Sequence, residues 1–339
     1  MSGRIWRFLF IACVLGFVMP GGVAQAKPSV TVEHYDGSSG GVQTESDYLS
    51  KWADDGFGPL PAERTFTSAG VTVSSVPFVS SADFSVFDHL KYIATSRKVW
   101  PVPAEGSLTF GTTLTTRTDG IVPGLVQHGT YVQSGAAYEA PLLDVQQAST
   151  SLNVLDFCTG MVFDWLITAT KAAPLIERLP SNVTGNTSNP SCPDGTKHVG
   201  RELMFTQYIR EVPIAEGVPH RYEITYNRSQ DGAYVEYTLD GRRVAKVDQV
   251  GIPLDRRGMR YTGTYPSLGA GELVDSQIAT LGMAHGLFSV LDAFPFQHPE
   301  SPELSVSIPV GPGAPGFARL WGQGAEGTWD DFAVTTVNR

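Results

Sequence analysis

One aspartate and two histidines are the residues of this sequence best suited to acid–base chemistry. Asp164 lies among apolar residues in the stretch 161–167, and a carboxylate held in such surroundings on a sheet has a raised pKa, which suits general acid catalysis. His285 lies in an apolar stretch and His89 in a polar one, and either is a candidate partner for the Asp164 carboxylate. The alternative is structural: a hydrogen-bonded Asp164, a core His285, and a His89 on a solvated edge strand.

A second group of residues has the chemistry that sugars bind. Trp321 and Trp329 are aromatic platforms on which the CH faces of a sugar stack, and Gln323 supplies an amide for its hydroxyl groups. Tyr92 is a further stacking candidate, and Lys91 beside it is a candidate for binding an anion. The alternative is that both tryptophans pack in a hydrophobic core and that Lys91 lies on a solvated edge.

The sequence has no pattern for a cofactor and only a weak one for a metal. Asp54–Asp55 and Asp330–Asp331 supply carboxylates of the kind that Ca²⁺ binds, but no calcium-binding loop pattern surrounds them. A serine nucleophile elbow, a phosphate-binding loop and a dinucleotide-binding fingerprint are also absent from the sequence. We therefore predict no cofactor and no metal site.

These candidates fall within a chain rich in strand signals. The stretch 235–247 predicts a β-hairpin, because two alternating runs flank Asp240–Gly241 and both central residues of a type I′ turn need positive φ. Other stretches have the alternating or continuously apolar pattern of strands, namely 29–35, 70–78, 106–118, 150–157, 161–168, 203–212, 220–228, 303–310, 318–324 and 328–337. Many short strands with Gly- and Pro-rich joins predict an all-β fold, an antiparallel β-sandwich of jelly-roll type.

Three stretches depart from the strand pattern: 36–44, 174–200 and 255–271. The first belongs to a segment, 27–48, that we expect to be flexible because of its Gly and Ser content. The second is polar and rich in Pro and Gly, and we expect a long loop there. The chain shows no internal repeat and no break in composition, so we predict a single domain over 49–339.

The first 26 residues predict a secretory signal peptide. Arg4 and Arg7 precede a short apolar run, and Ala24–Gln25–Ala26 forms a cleavage site of the A-x-A type. The alternative is an N-terminal membrane anchor, for which the apolar run is short. We expect cleavage near Ala26, a soluble mature chain with no membrane span, and a secreted or extracytoplasmic location.

Two cysteines, Cys158 and Cys192, remain after the predicted cleavage. An even number of cysteines in an exported chain favours a disulfide bond, which here would tie the 174–200 loop to the stretch before residue 161. The alternative is a pair of buried free thiols. No histidine lies at a zinc-like spacing from either cysteine, so a metal site is the less favoured use of the pair.

Several motifs resemble those of the concanavalin A-like lectins and glucanases. The stretch 220–247 resembles a strand pair of these jelly rolls, and 320–337 is similar to their closing strand. Four blocks resemble, more narrowly, a bacterial family of exported domains with no assigned function: 88–94, 156–165, 278–292 and 321–332. The resemblance covers roughly residues 50–337 and implies a jelly-roll sandwich, but it brings no catalytic residues.

The sequence departs from the glucanases of that superfamily in the motif that carries their chemistry. Retaining β-glucanases place E-x-D-x-E or E-x-D-x-x-E on one strand, so that both glutamates share a face. Here Glu236 and Asp240, like Glu272 and Asp275, have the wrong spacing, and neither pair supplies a second glutamate. The resemblance therefore does not imply the usual glucanase mechanism.

Three functional hypotheses follow. The residues favour glycan recognition on the concave sheet, with an oligosaccharide or cell-wall glycan bound by the aromatic residues named above and by Asp164. The first alternative is a glycan-cleaving hydrolase or lyase that uses Asp164 with His285 or His89, and the second is an envelope interaction protein without a small-molecule site. A nucleic-acid partner is not expected, because the net charge is -10 and the Lys and Arg residues are scattered.

Overall fold

The computed structural model describes residues 28–35, 44–54, 62–81, 89–179, 192, 205–250, 272–274, 277–289, 306–307, 317–318 and 322–339. The predicted signal peptide lies outside these residues. The elements are β1 Ser29–His34, α1 Glu45–Lys51, β2 Trp52–Asp54, β3 Glu63–Thr67, β4 Gly70–Ser75, β5 Ser80–Ser81, β6 Leu90–Pro101, β7 Gly106–Asp119, β8 Val126–Tyr131, β9 Ala137–Pro141, α2 Asp144–Gln147, β10 Ser149–Leu155, β11 Met161–Ile167, β12 Lys171–Arg178, β13 Phe205–Tyr208, β14 Val212–Pro213, β15 His220–Ser229, β16 Gly232–Leu239, β17 Arg242–Val247, β18 Gln249–Val250, β19 Glu272–Leu273, β20 Thr280–Phe288, β21 Val306–Ser307, β22 Phe317–Ala318 and β23 Gly324–Asn338.

Two large sheets form the protein. The first has the strand order β17-β16-β15-β7-β23-β4-β3, with β1 beside β23. The second has the order β13-β12-β11-β10-β20-β6-β2, with β14 beside β12. Their neighbouring strands are antiparallel, as in β10 with β11 and β20, and in β7 with β15 and β23. The predicted antiparallel β-sandwich of jelly-roll type is confirmed.

The core lies between the inner faces of the two sheets. Successive side chains of a strand point to opposite faces, so Phe163 and Trp165 of β11 both face inward. The Trp165 ring lies 5.5 Å from that of Tyr222 and 5.6 Å from that of Tyr237, both in the first sheet. The Trp165 indole N–H also donates to the Glu223 carbonyl at 3.0 Å. These aromatic contacts fix the two sheets face to face.

The second sheet is buried on its outer face as well. Every residue of β10 and of β11 is buried. Val162, Leu166 and Leu175 form a second apolar cluster on the outer face, together with Val145 of α2. Burial on both faces explains why β11 is apolar almost throughout and does not alternate between apolar and polar residues.

The hairpin predicted from 235–247 is confirmed. β16 and β17 pair around Asp240 and Gly241, whose φ angles are 49° and 73°. Val235 and Tyr237 point into the core, and Ala245 and Val247 pack from the opposite strand. The turn chemistry therefore sets the register that buries the apolar face.

Two segments in which we expect flexibility or a long loop contain regular elements. The segment 27–48 includes β1, which corresponds to the predicted strand 29–35 and pairs with β23 from Ser29↔Asn338 to His34↔Ala333. It also includes the start of α1, where the Thr44 hydroxyl accepts a hydrogen bond from the Asp47 amide at 3.1 Å. The 174–200 loop begins inside β12, which pairs with β11 on one side and with β13 on the other. The 255–271 stretch lies outside the described residues.

Candidate functional site

Polar side chains gather on the outer face of the second sheet, at its β13–β12–β11–β10 end. Asp164 of β11 points outward because its neighbours Phe163 and Trp165 point into the core. In register with it are Asn153 on β10 and Leu175 on β12, and Leu175 is in turn paired with Tyr208 on β13. We call this group the outer-face cluster; its members are Ser151, Asn153, Asp164, Glu177, Thr206 and Tyr208.

A chain of hydrogen bonds orients Asp164. The Ser151 hydroxyl donates to the amide oxygen of Asn153 at 2.7 Å. That bond fixes the direction of the amide, whose nitrogen donates to Oδ1 of Asp164 at 2.6 Å. The Asp164 side chain is thus held by a neighbouring side chain and not by the backbone of the core. Asp164 itself is only 1% exposed.

Glu177 places a second carboxyl group beside Asp164. It is paired with Val162, two residues before Asp164, so the two acidic residues are diagonal neighbours on one face of the sheet. Diagonal pairs in antiparallel sheets lie about 7–8 Å apart at their backbones, within reach for long side chains. Glu177 and its neighbours Thr206 and Tyr208 are half-buried residues, whereas the Asp164 side chain and the Tyr208 hydroxyl are buried.

The two carboxyl groups favour their protonated forms. Burial raises the pKa of Asp164 well above its ordinary value, the charge of Glu177 raises it further, and the bond from Asn153 opposes the shift. Burial raises the pKa of Glu177 to about 7, although the Thr206 hydroxyl donates to its Oε2 at 3.3 Å. Two carboxylates that share a poorly hydrated site cannot both ionise readily, so the pair titrates as a unit.

Tyr208 adds a third proton-bearing group to this face. Burial raises the pKa of its phenol well above the ordinary value, and the charges of Glu177 and Asp164 raise it further, whereas the Gln146 side chain lowers it. The phenol therefore stays protonated and is a hydrogen-bond donor toward the carboxyl groups or toward a ligand.

His285 lies on the opposite face of the sheet from Asp164. In the row that contains Asp164 and Asn153, the β20 residue is Ala284, so the next residue, His285, points inward. Its side chain is fully buried, and burial lowers its pKa to about 3. The structure does not bring His285 to the Asp164 carboxyl.

His89 also lies apart from Asp164. It directly precedes β6, and the β6 residue in the row of Asp164 is Thr95, reached through Asn153 and Ala284. His89 is six positions from Thr95, a separation of about 20 Å along a strand. The predicted pairing of Asp164 with a histidine is replaced in the structure by a pairing with Glu177.

The aromatic candidates for sugar binding lie in the core where the structure describes them. Trp329 is fully buried, and its indole N–H donates to the Ser151 carbonyl at 3.0 Å. Tyr92 is 4% exposed, and its hydroxyl is 2.7 Å from that of Tyr48. The structure thus gives both rings a core position in place of the ligand-facing one predicted. Trp321 lies outside the described residues.

Lys91 and Gln323 are buried as well. Lys91 is 2% exposed, and its Nζ donates to the Val79 carbonyl at 2.9 Å. Gln323 is 4% exposed, and its backbone carbonyl accepts from the Phe78 amide at 2.6 Å. Both residues anchor the chain around residues 78 and 79 and do not face a groove that the structure describes.

The predicted disulfide between Cys158 and Cys192 is confirmed, with 5.4 Å between the two Cα atoms. Cys158 lies in the turn that joins β10 to β11. The Asp156 carboxylate holds this turn, because it accepts the amides of Cys158 and Thr159 at 3.0 and 3.1 Å. The bond ties Cys192 to the end of the sheet nearest Glu177.

Two further observations limit what kind of site the described residues can form. Within the part of the chain that the structure describes, no three His, Cys, Asp or Glu side chains are grouped so as to hold a metal ion. Within the same residues, no helix has both the length and the apolar character needed to cross a membrane.

A family model described as a family of unknown function, DUF6081, matches residues 27–338. The chain belongs to this family. No curated protein matches the chain. The DUF6081 match spans β1 to β23 and so includes every member of the outer-face cluster.

Solved structures similar to this DUF6081 protein include a sialidase, at 12% identity and a TM-score of 0.37, with 89% of this chain covered but only 18% of the sialidase chain. An endo-1,3-beta-glucanase from Streptomyces sioyaensis is similar at 11% identity and a TM-score of 0.39, with 93% and 98% covered. The potassium-bound Emp46p carbohydrate recognition domain is similar at 7% identity and a TM-score of 0.35, with 87% and 91% covered. These likenesses concern the fold alone.

Proposed function

We propose that this protein cleaves glycans by acid–base catalysis at the outer-face cluster. The observation that carries the proposal is the diagonal pair Asp164–Glu177, two carboxyl groups on one face of the sheet, one of them partly exposed. Such a pair differs from the single-strand motif of retaining β-glucanases, since its members come from two adjacent strands. It supplies the two groups that glycoside hydrolysis requires.

The chemistry follows from a proton held by the pair near neutral pH. The protonated carboxyl group donates its proton to the glycosidic oxygen as the bond between that oxygen and the sugar carbon breaks. The ionised carboxyl group stabilises the positive charge that develops on the sugar or activates the water that adds to it, and a proton of this water returns to the pair. Asn153 acts as a positioning residue, because its amide fixes the Asp164 carboxyl.

The other groups of the cluster support a glycan as the substrate. The Thr206 hydroxyl donates to Glu177 at 3.3 Å, and the Tyr208 hydroxyl is buried on the same strand. Hydroxyl, amide and carboxyl groups that converge on one place suit a ligand made of hydroxyls. The resemblance of the hairpin and of the closing strand to the concanavalin A-like lectins and glucanases supports the same class. The disulfide and the predicted signal peptide support a site of action outside the cytoplasm.

The test is an activity screen of the mature protein with neutral and uronate-containing polysaccharides, read out as reducing ends and as unsaturated products. We expect reducing ends without unsaturation, and a rate that rises as the pH passes about 7, because Glu177 then ionises while its charge helps Asp164 to keep its proton. Glu177→Gln and Asp164→Asn should each lower kcat by about 10²–10⁴-fold. Glu236→Gln, on the other sheet, is the matched control and should retain full activity.

Two outcomes of the screen would favour the other hypotheses. A thermal shift with an oligosaccharide, without products and without loss in Glu177→Gln, would indicate recognition elsewhere on the surface, and Trp321→Ala would then be the next variant. Neither a shift nor a product with any polysaccharide would favour an interaction protein. Unsaturated products would indicate elimination in place of hydrolysis.

A further inference from the structure

The short helix α1 inserts one buried side chain into the sandwich, and the carbonyls of Leu49 and Lys51 accept hydrogen bonds from Arg97 and Tyr35. It has seven residues, of which only Tyr48 is buried. A helix of this length is not stable in water on its own, so its contacts with the sheets must hold it in place. Trp52 directly follows α1 and is fully buried, so Tyr48 and Trp52 together insert into the sandwich.

Tyr48 reaches the buried imidazole of His285. Its hydroxyl is 2.8 Å from His285 Nε2 and 2.7 Å from the Tyr92 hydroxyl. Trp52 covers a second side of the imidazole, with 4.8 Å between the ring centroids. Trp329 and Phe332 of β23 lie behind it, at 4.7 and 5.3 Å. α1 and β2 therefore form the wall between His285 and the solvent.

Few titratable groups face this imidazole from the elements packed around it. Two of them are connected to it by a chain of hydrogen bonds: Tyr48 of α1 bonds to the imidazole, and Tyr92 of β6 bonds to Tyr48. Beyond Tyr92 lies Arg64 of β3, which donates to the Tyr92 hydroxyl and also pairs with Asp54 and Glu45 at the surface.

The remaining neighbours of His285 carry no charge. β10 contributes Leu152, which is paired with His285 in register, and β23 contributes Trp329 and Phe332. Among the residues that the structure describes, no carboxylate contacts the imidazole.

We propose that α1 and β2 form a cap that opens in acid. His285 is protonated in the open state, in which Tyr48 and Trp52 have left the sandwich, and this protonation stabilises the open state. In the closed state a charged imidazolium would have no anionic partner and no water. The low pKa of His285 in the closed state, about 3, agrees with this geometry. In the open state the imidazole is hydrated and has an ordinary pKa near 6.5.

The equilibrium constant for opening of the cap should depend on pH in a defined way. Because the open state binds one proton more than the closed state between about pH 6.5 and pH 3, the opening equilibrium constant rises about tenfold for each unit by which the pH falls in that window. Above about pH 7 the constant is independent of pH. The large strands of both sheets stay closed, since opening is local.

Hydrogen exchange of the full mature chain between pH 4.5 and 7.5 tests the cap. The reporters are the amide of Tyr48, bonded to the Thr44 carbonyl, and that of Trp52, bonded to the Tyr48 carbonyl. After correction for the intrinsic rates, their opening constant should rise about 50-fold from pH 6.5 to pH 4.5. Amides of β7 serve as the reference for global unfolding and should stay protected.

Two variants separate His285 from the surface ion pairs. His285→Gln keeps an acceptor for the Tyr48 hydroxyl but does not titrate, so the opening constant should become flat with pH. Tyr48→Phe removes the hydroxyl, so opening should increase at every pH with the slope unchanged; this variant also decides the matter if His285→Gln does not fold. The proposal is overturned by a flat profile in the wild type, by an unchanged slope in His285→Gln, or by unchanged opening in Tyr48→Phe.

Discussion

The two faces of the second sheet each contain a buried ionisable group, and the surroundings that shift its pKa differ between the faces. Asp164 and the neighbour of His285, Ala284, lie in one row across β11, β10 and β20, so the acid and the base are one residue apart in register and point to opposite faces. On the inner face His285 is enclosed by aromatic rings and stays neutral through burial alone. On the outer face burial and the neighbouring charge of Glu177 raise the pKa of Asp164 well above its ordinary value.

A shifted pKa alone does not mark a catalytic group. Both groups have shifted pKa values, but the hydrogen-bonded partner of His285 is Tyr48, which is itself fully buried in the core. The acidic neighbour of Asp164 is Glu177, a half-buried residue. A second titratable group with access to solvent is therefore the feature that separates a candidate active site from a core residue.

The largest effect on the inner face should come from Trp329→Ala. The ring is fully buried, lies 4.7 Å from the His285 ring, and donates to the Ser151 carbonyl. Removing it leaves a cavity and an unpaired carbonyl, so the free energy of unfolding should fall by about 3–5 kcal/mol in urea titrations. Val30→Ala, at a side chain 64% exposed, is the control and should change little. A loss below 1 kcal/mol for Trp329→Ala would contradict the core position.

A smaller effect should appear on the inner face as the pH falls. The pKa of His285, about 3 when folded, is below the unfolded value of about 6.5. Its contribution to stability is therefore fully present above pH 6.5 and is lost as the pH falls toward 3. Between pH 6.5 and 4.5 this loss is about 2 kcal/mol.

The measurement is the free energy of unfolding at both pH values in the wild type and in His285→Gln. The difference between the two proteins should be smaller by that amount at pH 4.5 than at pH 6.5. His128→Gln, at a side chain 68% exposed, is the control and should behave as the wild type. Equal pH slopes in His285→Gln and the wild type would mean that other groups cause the acid sensitivity.

The local rules of turns and alternation suffice for the hairpin and for the sandwich. Asp240–Gly241 specifies a turn by backbone conformation, and β16 and β17 then bury Val235 and Ala245 as the alternation predicts. The cysteine count likewise suffices for the disulfide, because only one pairing exists for Cys158 and Cys192. Each of these features depends on residues close in sequence or on a choice without alternatives.

The candidate site could not be predicted in the same way, because it depends on which strands are neighbours. Glu177 meets Asp164 only because β12 lies beside β11, whereas the Pro, Gly and polar residues of 174–200 predict a loop. Pro174 nevertheless lies within β12, where its carbonyl accepts the Ile209 amide at 2.9 Å. The apolar run 172–176 is the signal in the sequence for this strand.

The pairing of Asp164 with His285 failed for a related reason. Both residues lie in continuously apolar strands, in which alternation does not reveal which face a residue occupies. A shift of one residue between β10 and β20 would have placed His285 in the row of Asp164. Register between strands distant in sequence is set by packing of the whole sheet and not by the residues of either strand.

The smallest expected effect concerns the outer face, where the free energy of unfolding should fall as the pH rises. This is the opposite of the pH dependence expected for the inner face. The pKa of Glu177, about 7 when folded, is above the unfolded value of about 4.5. Its contribution to stability is therefore present below pH 4.5 and is lost as the pH rises through 7. Glu177→Gln removes this cost, so the variant should gain about 1–2 kcal/mol relative to the wild type between pH 5 and pH 8, after allowance for its partial exposure.

Glu63→Gln, at an exposed glutamate of the first sheet, is the matched control and should show no such gain. A gain in Glu177→Gln together with a loss of cleavage would mean that the outer face maintains a carboxyl group at a cost in stability, as active sites do. A Glu177→Gln variant that is less stable than the wild type at pH 8 would instead give the carboxylate a structural role. The two faces of the sheet would then differ in polarity but not in function.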